Sequence, residues 1–428
     1  MALITTFAST PLASYLYPPW YQKKIAAWKR GEIDWETGAP LNGTGTSGDA
    51  TDGSKVTVDR VNRLLVYLRL DNLPAVLGLV SLFGSPYMGD KAATSDASGS
   101  GKEPEQAPKR PVRAHGMRLL QLSDRDSSFM TVAQVNDYSK HDPVVNTFNT
   151  VGQLNRLAVS GEVAIMPETR FPEALLAKSS NATSDLLIVP WSETGNIGDS
   201  QFLSSSTAKE KLSATYSDFV KSVLKSGERN VAIFFAQSDV APDTTGSSEG
   251  SKLARTYSFS AVEQEVPALP PAHRSSHIFF AYLGGKDDHL ALSLVLQLCE
   301  RPEVTATIKR FSTGADEASA AADDEFFNSV MNQAPADVLA RVRSENIKGI
   351  STVEEILSSA ASDLNSAPRD SGRKDILVVG RRVEARVDPG KLSPVGEASR
   401  SLGDVAAQIV ASGVQGDLLV VQAKGTPS

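Results

Sequence analysis

HIFFAYLGGKDDHLALSLVLQLCERPEVTATIKRF, residues 277–311, holds in one unbroken stretch the unit from which the fold is read. An apolar, aromatic run (HIFFAYL) ends at Gly284 and Gly285. Asp287 and Asp288 follow, and a helix-period segment from His289 to Glu300 precedes the β-branched run VTATIKRF. Strand, glycine turn, helix, strand, with the first strand apolar at nearly every position, describes a parallel βαβ unit with a right-handed crossover and both sheet faces covered. The acids stand where carboxylates accept backbone N–H bonds at a helix start. Within the helix His289, Ser293, Gln297 and Glu300 form a single narrow polar stripe; every other face is Leu, Ala, Val or Cys. That apolar surface is wider than one sheet covers. Another layer, either the first part of the chain or a second copy, is therefore expected over it, with Leu290, Leu294 and Leu298 as interface candidates.

The same grammar extends in both directions. In the second half further strands are expected at 304–311, more weakly around 347–350, at 376–379 (ILVV) and at 418–421 (LLVV). In the first half they fall at 64–70 (LLVYLRL), 118–122, 162–166, 186–189 (LLIV) and 231–235 (VAIFF), with helical segments between. Asp185 and Asp375, Val231 and Leu418, and Leu119 and Val304 are offset by a nearly constant spacing of about 185 to 190 residues, the mark of an internal duplication. The first strands are further apart, because the first copy alone carries the low-complexity insertion 89–111. The predicted fold is α/β: two tandem, doubly wound, mostly parallel five-stranded sheet domains at 60–237 and 276–424. A Gly/Ser/Thr-rich linker at 31–59 precedes them, and an interdomain linker at 238–275, stiffened by PALPP, separates them.

Composition narrows the function. The 428 residues suit two or three domains, and 41% hydrophobic with 22% charged residues is ordinary globular usage. With 43 Lys and Arg against 50 Asp and Glu the net charge is −7, which argues against a dedicated nucleic-acid binder. The lone Cys299 excludes a disulfide framework and any multi-cysteine zinc site. The five histidines form no H-E-x-x-H motif or Cys/His cluster, no P-loop is present, and the glycine turn at Gly284-Gly285 carries neither the G-x-G-x-x-G pattern nor a nucleophile elbow. No enzyme, no metal and no nucleic-acid partner are expected. Candidate ligand positions lie after the strands, where open α/β sheets bind their ligands: Asp71, Gly284, Gly285, Asp287, Asp288, His289, Arg381 and Arg382. A turn and helix start is the simpler reading of Gly284 to His289, since the two aspartates repel an anion. Asp323, Asp324 and Glu325 read as the acidic first turn of a helix.

The first 16 residues are uncharged, an aromatic cluster (YPPWY) follows at 17–21, and Lys23, Lys24, Lys29 and Arg30 come before any acid. Apolar, aromatic, then basic is the order at the cytosolic exit of a membrane-spanning helix, and equally that of a short buried helix with a solvated basic end.

Residues 277–311 resemble a segment in the cytosolic C-terminal region of monovalent cation:proton antiporters of the plant and fungal cation/H⁺ exchanger group. Asp324-Glu325-Phe326, 375–382 (DILVVGRR), Leu402-Gly403-Asp404 and the final LLVVQ follow in the same order, with 170–193 and 227–235 as matching elements of the first half. Residues 1–30 resemble the end of the last transmembrane helix and its basic juxtamembrane exit in fungal K⁺/H⁺ antiporters. The resemblance implies tandem universal-stress-protein-like domains in a cytosolic regulatory and dimerising tail, whose partners are the membrane domain of the same antiporter and a second copy. Neither the endomembrane nor the plasma membrane is singled out. The alternative is a soluble nucleotide-sensing protein of the universal stress type, with an adenine nucleotide as its ligand; an α/β hydrolase is a weaker third reading. The G-x-x-G-x9-G-[ST] signature of ATP-binding universal stress proteins is broken at Pro190-Trp191-Ser192-Glu193 and at Gly380-Arg381-Arg382-Val383.

Overall fold

In the computed structural model the described residues are 60–84, 111–121, 141–191, 197, 214–236, 275–312, 317–350, 352–366, 374–381, 401–414 and 416–426. The expected membrane exit with Lys23, Lys24, Lys29 and Arg30, the linker 31–59, nearly all of 89–111 and of 238–275, and Arg382 lie outside them.

The apolar runs form strands, and the central ones are buried at nearly every position, as a sheet covered on both faces requires. In the first half these are β1 (Arg63–Leu68), β2 (Arg113–Gln121), β3 (Ala158–Met166), β4 (Leu186–Pro190) and β5 (Val231–Phe235). The second half repeats them as β6 (Ser276–Tyr282), β7 (Val304–Ser312), β8 (Val342–Ile350), β9 (Lys374–Gly380) and β10 (Asp417–Gln422). All ten belong to one sheet in the order β3-β2-β1-β4-β5-β10-β9-β6-β7-β8. Within each half every pairing is parallel, and the halves meet where β5 and β10 pair antiparallel, Ile233 opposite Val420 at the centre. The expected five-stranded sheets are thus present and joined edge to edge. The palindromic order is what an approximate two-fold axis between β5 and β10 produces.

Crossover helices alternate between the faces. On one lie α1 (Leu73–Ser81), α2 (Pro143–Leu154), α5 (Lys286–Leu298), α6 (Glu317–Gln333) and α7 (Ala336–Leu339), packed with Leu64, Val66, Leu68, Ile278 and Phe280. The other carries α3 (Phe171–Asn181), α4 (Ala214–Lys225), α8 (Val353–Ser366) and α9 (Asp404–Ser412), packed with Leu65, Tyr67, Phe279 and Ala281. Each layer is one continuous apolar cluster through both halves. Local chemistry sets the helix starts: Asp142 caps α2 by accepting from Val144 N and Val145 N, and proline opens α1, α2 and α3.

Helix α5 shows why the first half is needed. Leu290, Leu294 and Leu298 are 8%, 1% and 0% exposed, in one cluster with α1 residues such as Leu77 and Val80. The helix packs on β6, β9, β10 and α6 of its own half, and the first half of the same chain meets it near its end. The end of the polar stripe serves the same contact: the Gln297 amide donates to Val61 O at 2.7 Å and accepts from Val61 N at 2.9 Å. Glu300 holds a two-pronged ion pair with Arg60, and Arg301 donates to Ser81 O.

Substituting Leu294→Asp places an uncompensated charge in this shared layer and should cost several kcal/mol, the usual scale for an unpaired buried ion. Thermal unfolding should show one lowered transition reported from the first half as well, through the fluorescence of buried Trp191. A wild-type melting temperature would refute the packing.

Candidate functional site

Crevices at a reversal of strand order, outside the carboxyl ends of the strands, are the ligand sites of open α/β sheets. Each half has one, between β1 and β4 and between β6 and β9. Because β10 runs against β5, the second half's strand ends lie beside the start of β5: Lys424 N donates to Asn230 Oδ1 at 2.8 Å and Gly425 N to Gly227 O at 2.8 Å. The sequence reading placed Asp71 on one surface with Gly284 to His289 and Arg381. The structure separates them into two clusters at opposite ends of the strand direction.

The first crevice is filled by the chain itself. Arg69, 1% exposed, forms a bidentate pair with Asp71, both contacts at 3.0 Å, and donates to Ile197 O at 2.6 Å. Its guanidinium lies 5.3 Å from the centre of the Tyr216 ring, a cation–π contact. Asn72 Nδ2 donates to Trp191 O at 2.6 Å, Tyr216 Oη donates to Pro190 O at 2.6 Å, and the Trp191 and Tyr216 rings meet edge to face. Burial holds the Tyr216 hydroxyl well above its ordinary value, with Arg69 pulling the other way. Asp71 is thus engaged by Arg69. Sequence reading missed Arg69 because it sits in the apolar run LLVYLRL; the strand ends at Leu68, and the next side chain turns into the crevice.

The second crevice is closed by carboxylates. Gly284 and Gly285 have φ of +98° and +87°, the conformation that aims the start of α5 back over β6. Asp288, fully buried, accepts from Leu283 N at 2.6 Å and Gly284 N at 2.9 Å, while Gly285 N donates to Asp323 Oδ1 at 3.1 Å. Three successive N–H groups of this turn are therefore bonded to the chain's own acids. Asp287 Oδ1 accepts from Ala423 N at 2.7 Å and from Thr426 Oγ1 at 3.2 Å, tying α5 to the end of β10. At Gly380 a Cβ would stand 2.3 Å from Asp288 Oδ1, so only glycine lets β9 approach this carboxylate. Arg381 donates to Ser401 O at 2.8 Å and Gln422 Oε1 at 2.9 Å, clamping the ends of β9 and β10 together. These bonds hold its guanidinium within the fold, where a ligand-facing position was expected.

His289 stacks on Phe326, ring centres 3.9 Å apart, and bonds Asp323 Oδ1 at 2.7 Å through Nε2. Burial pulls its pKa below the ordinary value, opposed by Asp323. Asp323 lies inside α6 and not in its first turn, because the helix begins at Glu317; Asp324 pairs with Arg310. Cys299 is buried, which pushes its thiol up to about 12, so it behaves as a core residue. Among the described residues no group of three or more His, Cys, Asp or Glu could hold a metal ion, and no helix is long and apolar enough to cross a membrane.

Burial pushes the Asp288 carboxyl up to about 8, against the lowering effect of the Leu283 and Gly284 N–H bonds. The folded state thus holds a proton that the unfolded chain releases near pH 4, and stability should fall as pH rises from about 4 to about 8. One pK unit corresponds to ~1.4 kcal/mol, so the loss is on the order of 5 kcal/mol. Asp288→Asn cannot ionise, and its melting temperature should gain on the wild type steadily between pH 5 and pH 8. Parallel pH curves would contradict the assignment.

No protein-family model matches the chain. It is similar to Cation/H(+) antiporter 18 of Arabidopsis thaliana, 22% identical over 402 residues, which make up 89% of this chain and 41% of that protein. It is also similar to Cation/H(+) antiporter 3 of the same plant, 24% identical over 223 residues, 50% of this chain and 24% of that protein. The chain spans less than half the length of these curated relatives. Among solved structures it is similar to a universal stress protein from Archaeoglobus fulgidus DSM 4304, with a TM-score of 0.41 and 11% identity over 85% of this chain and 97% of that one. A putative universal stress protein from Pseudomonas aeruginosa UCBPP-PA14 follows, with a TM-score of 0.37 and 12% identity over 84% of this chain and 92% of that one.

Proposed function

We propose that this chain is the cytosolic regulatory and dimerising region of a membrane potassium/proton antiporter, tuning monovalent cation/proton exchange and so pH homeostasis, and that it is not itself an enzyme. One observation carries the reading. The similarity to an antiporter runs through 402 residues, across both halves of the sheet, and takes up only 41% of that protein, which leaves room for a membrane domain elsewhere. A membrane domain of the same antiporter is then the direct partner, and the ion-binding residues lie there. Such a region regulates by holding two conformations of unequal affinity for something, and not by chemistry. The plugged crevices support this over the nucleotide-sensing alternative: Arg69, Trp191 and Tyr216 occupy one, and Asp288 and Asp323 occupy the N–H groups of the other.

Growth of transporter-deficient cells under potassium or alkaline stress tests the reading. Cells carrying the full-length antiporter without residues 60–426 should keep exchange yet lose its normal dependence on cytosolic pH or potassium. Unaltered, normally regulated transport at equal protein levels would refute a regulatory role. Calorimetric titration of the intact chain with ATP should show no tight binding; tight binding would favour the universal-stress-type sensor.

A further inference from the structure

The amino-terminal edge of the first half gathers cations along one line. In the strand register Arg63 stands opposite Arg113 and Arg113 opposite Ala158, with Arg156 two residues earlier in the chain. On the other side Asp185 N bonds Arg63 O, Asn230 Nδ2 bonds Asp185 O, and Lys424 N bonds Asn230 Oδ1, which brings Arg229 and Lys424 into the same row. Arg113, Arg156 and Lys424 are exposed, as is Lys225 at the end of α4. The carboxylates along the row are Asp185, whose Oδ2 accepts from Asn62 N and Arg63 N, exposed Glu228, Glu300, which pairs with Arg60, and buried Asp287, which accepts from Ala423 N and Thr426 Oγ1 beside Lys424. In a chain of net charge −7, this excess is a local arrangement and no reflection of composition.

A second feature selects the partner. Leu154, at the end of α2 and two residues before Arg156, is 74% exposed, the most exposed large hydrophobic among the described residues. Phosphates of a nucleic acid would match the cations but leave a protruding leucine without use. A bilayer surface matches both: basic side chains meet anionic headgroups while an apolar side chain enters the interface. The polypeptide also joins β1 at this edge, through Arg60, Val61 and Asn62.

We propose that the edge formed by Arg63, Arg113, Arg156, Arg229 and Lys424, with Leu154 as an apolar anchor, lies against an anionic lipid surface. The inference stands on the charge and shape of this edge and holds whether or not the chain belongs to an antiporter.

Sedimentation of the full 428-residue chain with phosphatidylcholine vesicles, with and without about one third phosphatidylserine, tests it. Binding should need the anionic lipid and should fall steeply with salt. The double variant Arg113→Glu/Arg156→Glu should partition at least ~10-fold less, since each basic residue near such a surface contributes roughly fivefold. Leu154→Ser should weaken binding without changing its salt dependence. A variant with Lys23, Lys24, Lys29 and Arg30 changed to Gln should retain the part of the binding that the double variant removes, which separates this edge from the chain's first 30 residues. Should the glutamates lower the melting temperature, Arg113→Gln/Arg156→Gln supplies the same comparison. Wild-type binding by the variants, equal binding to neutral vesicles, or displacement by a short DNA duplex at lower concentration than by anionic vesicles would each overturn the proposal.

Discussion

The antiparallel pairing of β5 with β10 is the contact on which the rest of the arrangement depends. Five residue pairs, Val231 with Gln422 through Phe235 with Leu418, turn two parallel five-stranded sheets into one of ten. An unpaired edge strand presents a row of unsatisfied backbone groups, and here each half satisfies the other's. The side chains follow: Ala232, Phe234, Leu419 and Val421 point to one face, and Val231, Ile233, Leu418 and Val420 to the other. A shift of one residue in this register would exchange the faces of a whole strand. Both layers of helices therefore need the same pairing, and both apolar clusters cross it without a break.

That pairing also decides what the crevices become. The strand ends of the second half come to lie beside the start of β5, and α5, rising from this point, runs over the junction to reach Val61 and Ser81. An apolar helix suits the course, since it is covered along its whole length. Its first turn enters the interior, where Asp287 accepts from Ala423 N at the end of β10 and Asp288 accepts from Leu283 N and Gly284 N at the end of β6. Burial of Asp288 is tolerated because these two N–H groups meet its oxygen and Gly380 leaves space for it. The first half solves the equivalent problem with other chemistry, an Arg69–Asp71 pair under aromatic rings. Two copies of one fold thus fill the same position differently. Residues that hold strands together in this way carry stability, and they are poor candidates for a ligand shared by both halves.

The features legible in sequence were those that leave a periodic trace. Strand positions, their repeat at nearly constant offset and the excess apolar surface of α5 all follow from alternation and helical period, and the structure reproduces them. Partnership leaves no such trace. Nothing in VAIFF or LLVVQ states that they pair with each other, nor in which direction, so the reversal that separates Asp71 from Asp288 was invisible. Arg381 read as a ligand candidate after a strand because its acceptors, Ser401 O and Gln422, lie 20 and 41 residues away. Asp323 read as a helix start because the alanine-rich segment before it shows no apolar stripe. The strand β8 was faint because an edge strand with exposed Arg343, Ser344 and Asn346 has little need for an apolar run.

From the centre outward the strands change in kind. Every residue of β4, β5 and β10 is buried, whereas β3 and β8, at the two ends of the sheet, are mostly half-exposed and carry charged residues such as Glu162, paired with Lys178, and Glu345, near Lys309. Charges on an outermost strand discourage another chain from adding to the sheet, so a second copy finds little along β3 or β8. The apolar density is greatest at the junction of the halves, and a disturbance there is felt by both. A change arriving at the basic edge, where β1, β4 and β5 begin, therefore meets strands that are buried along nearly their whole length. A signal received at that edge would act on both halves as a single body, because the strands it touches are the ones whose packing the two apolar layers share.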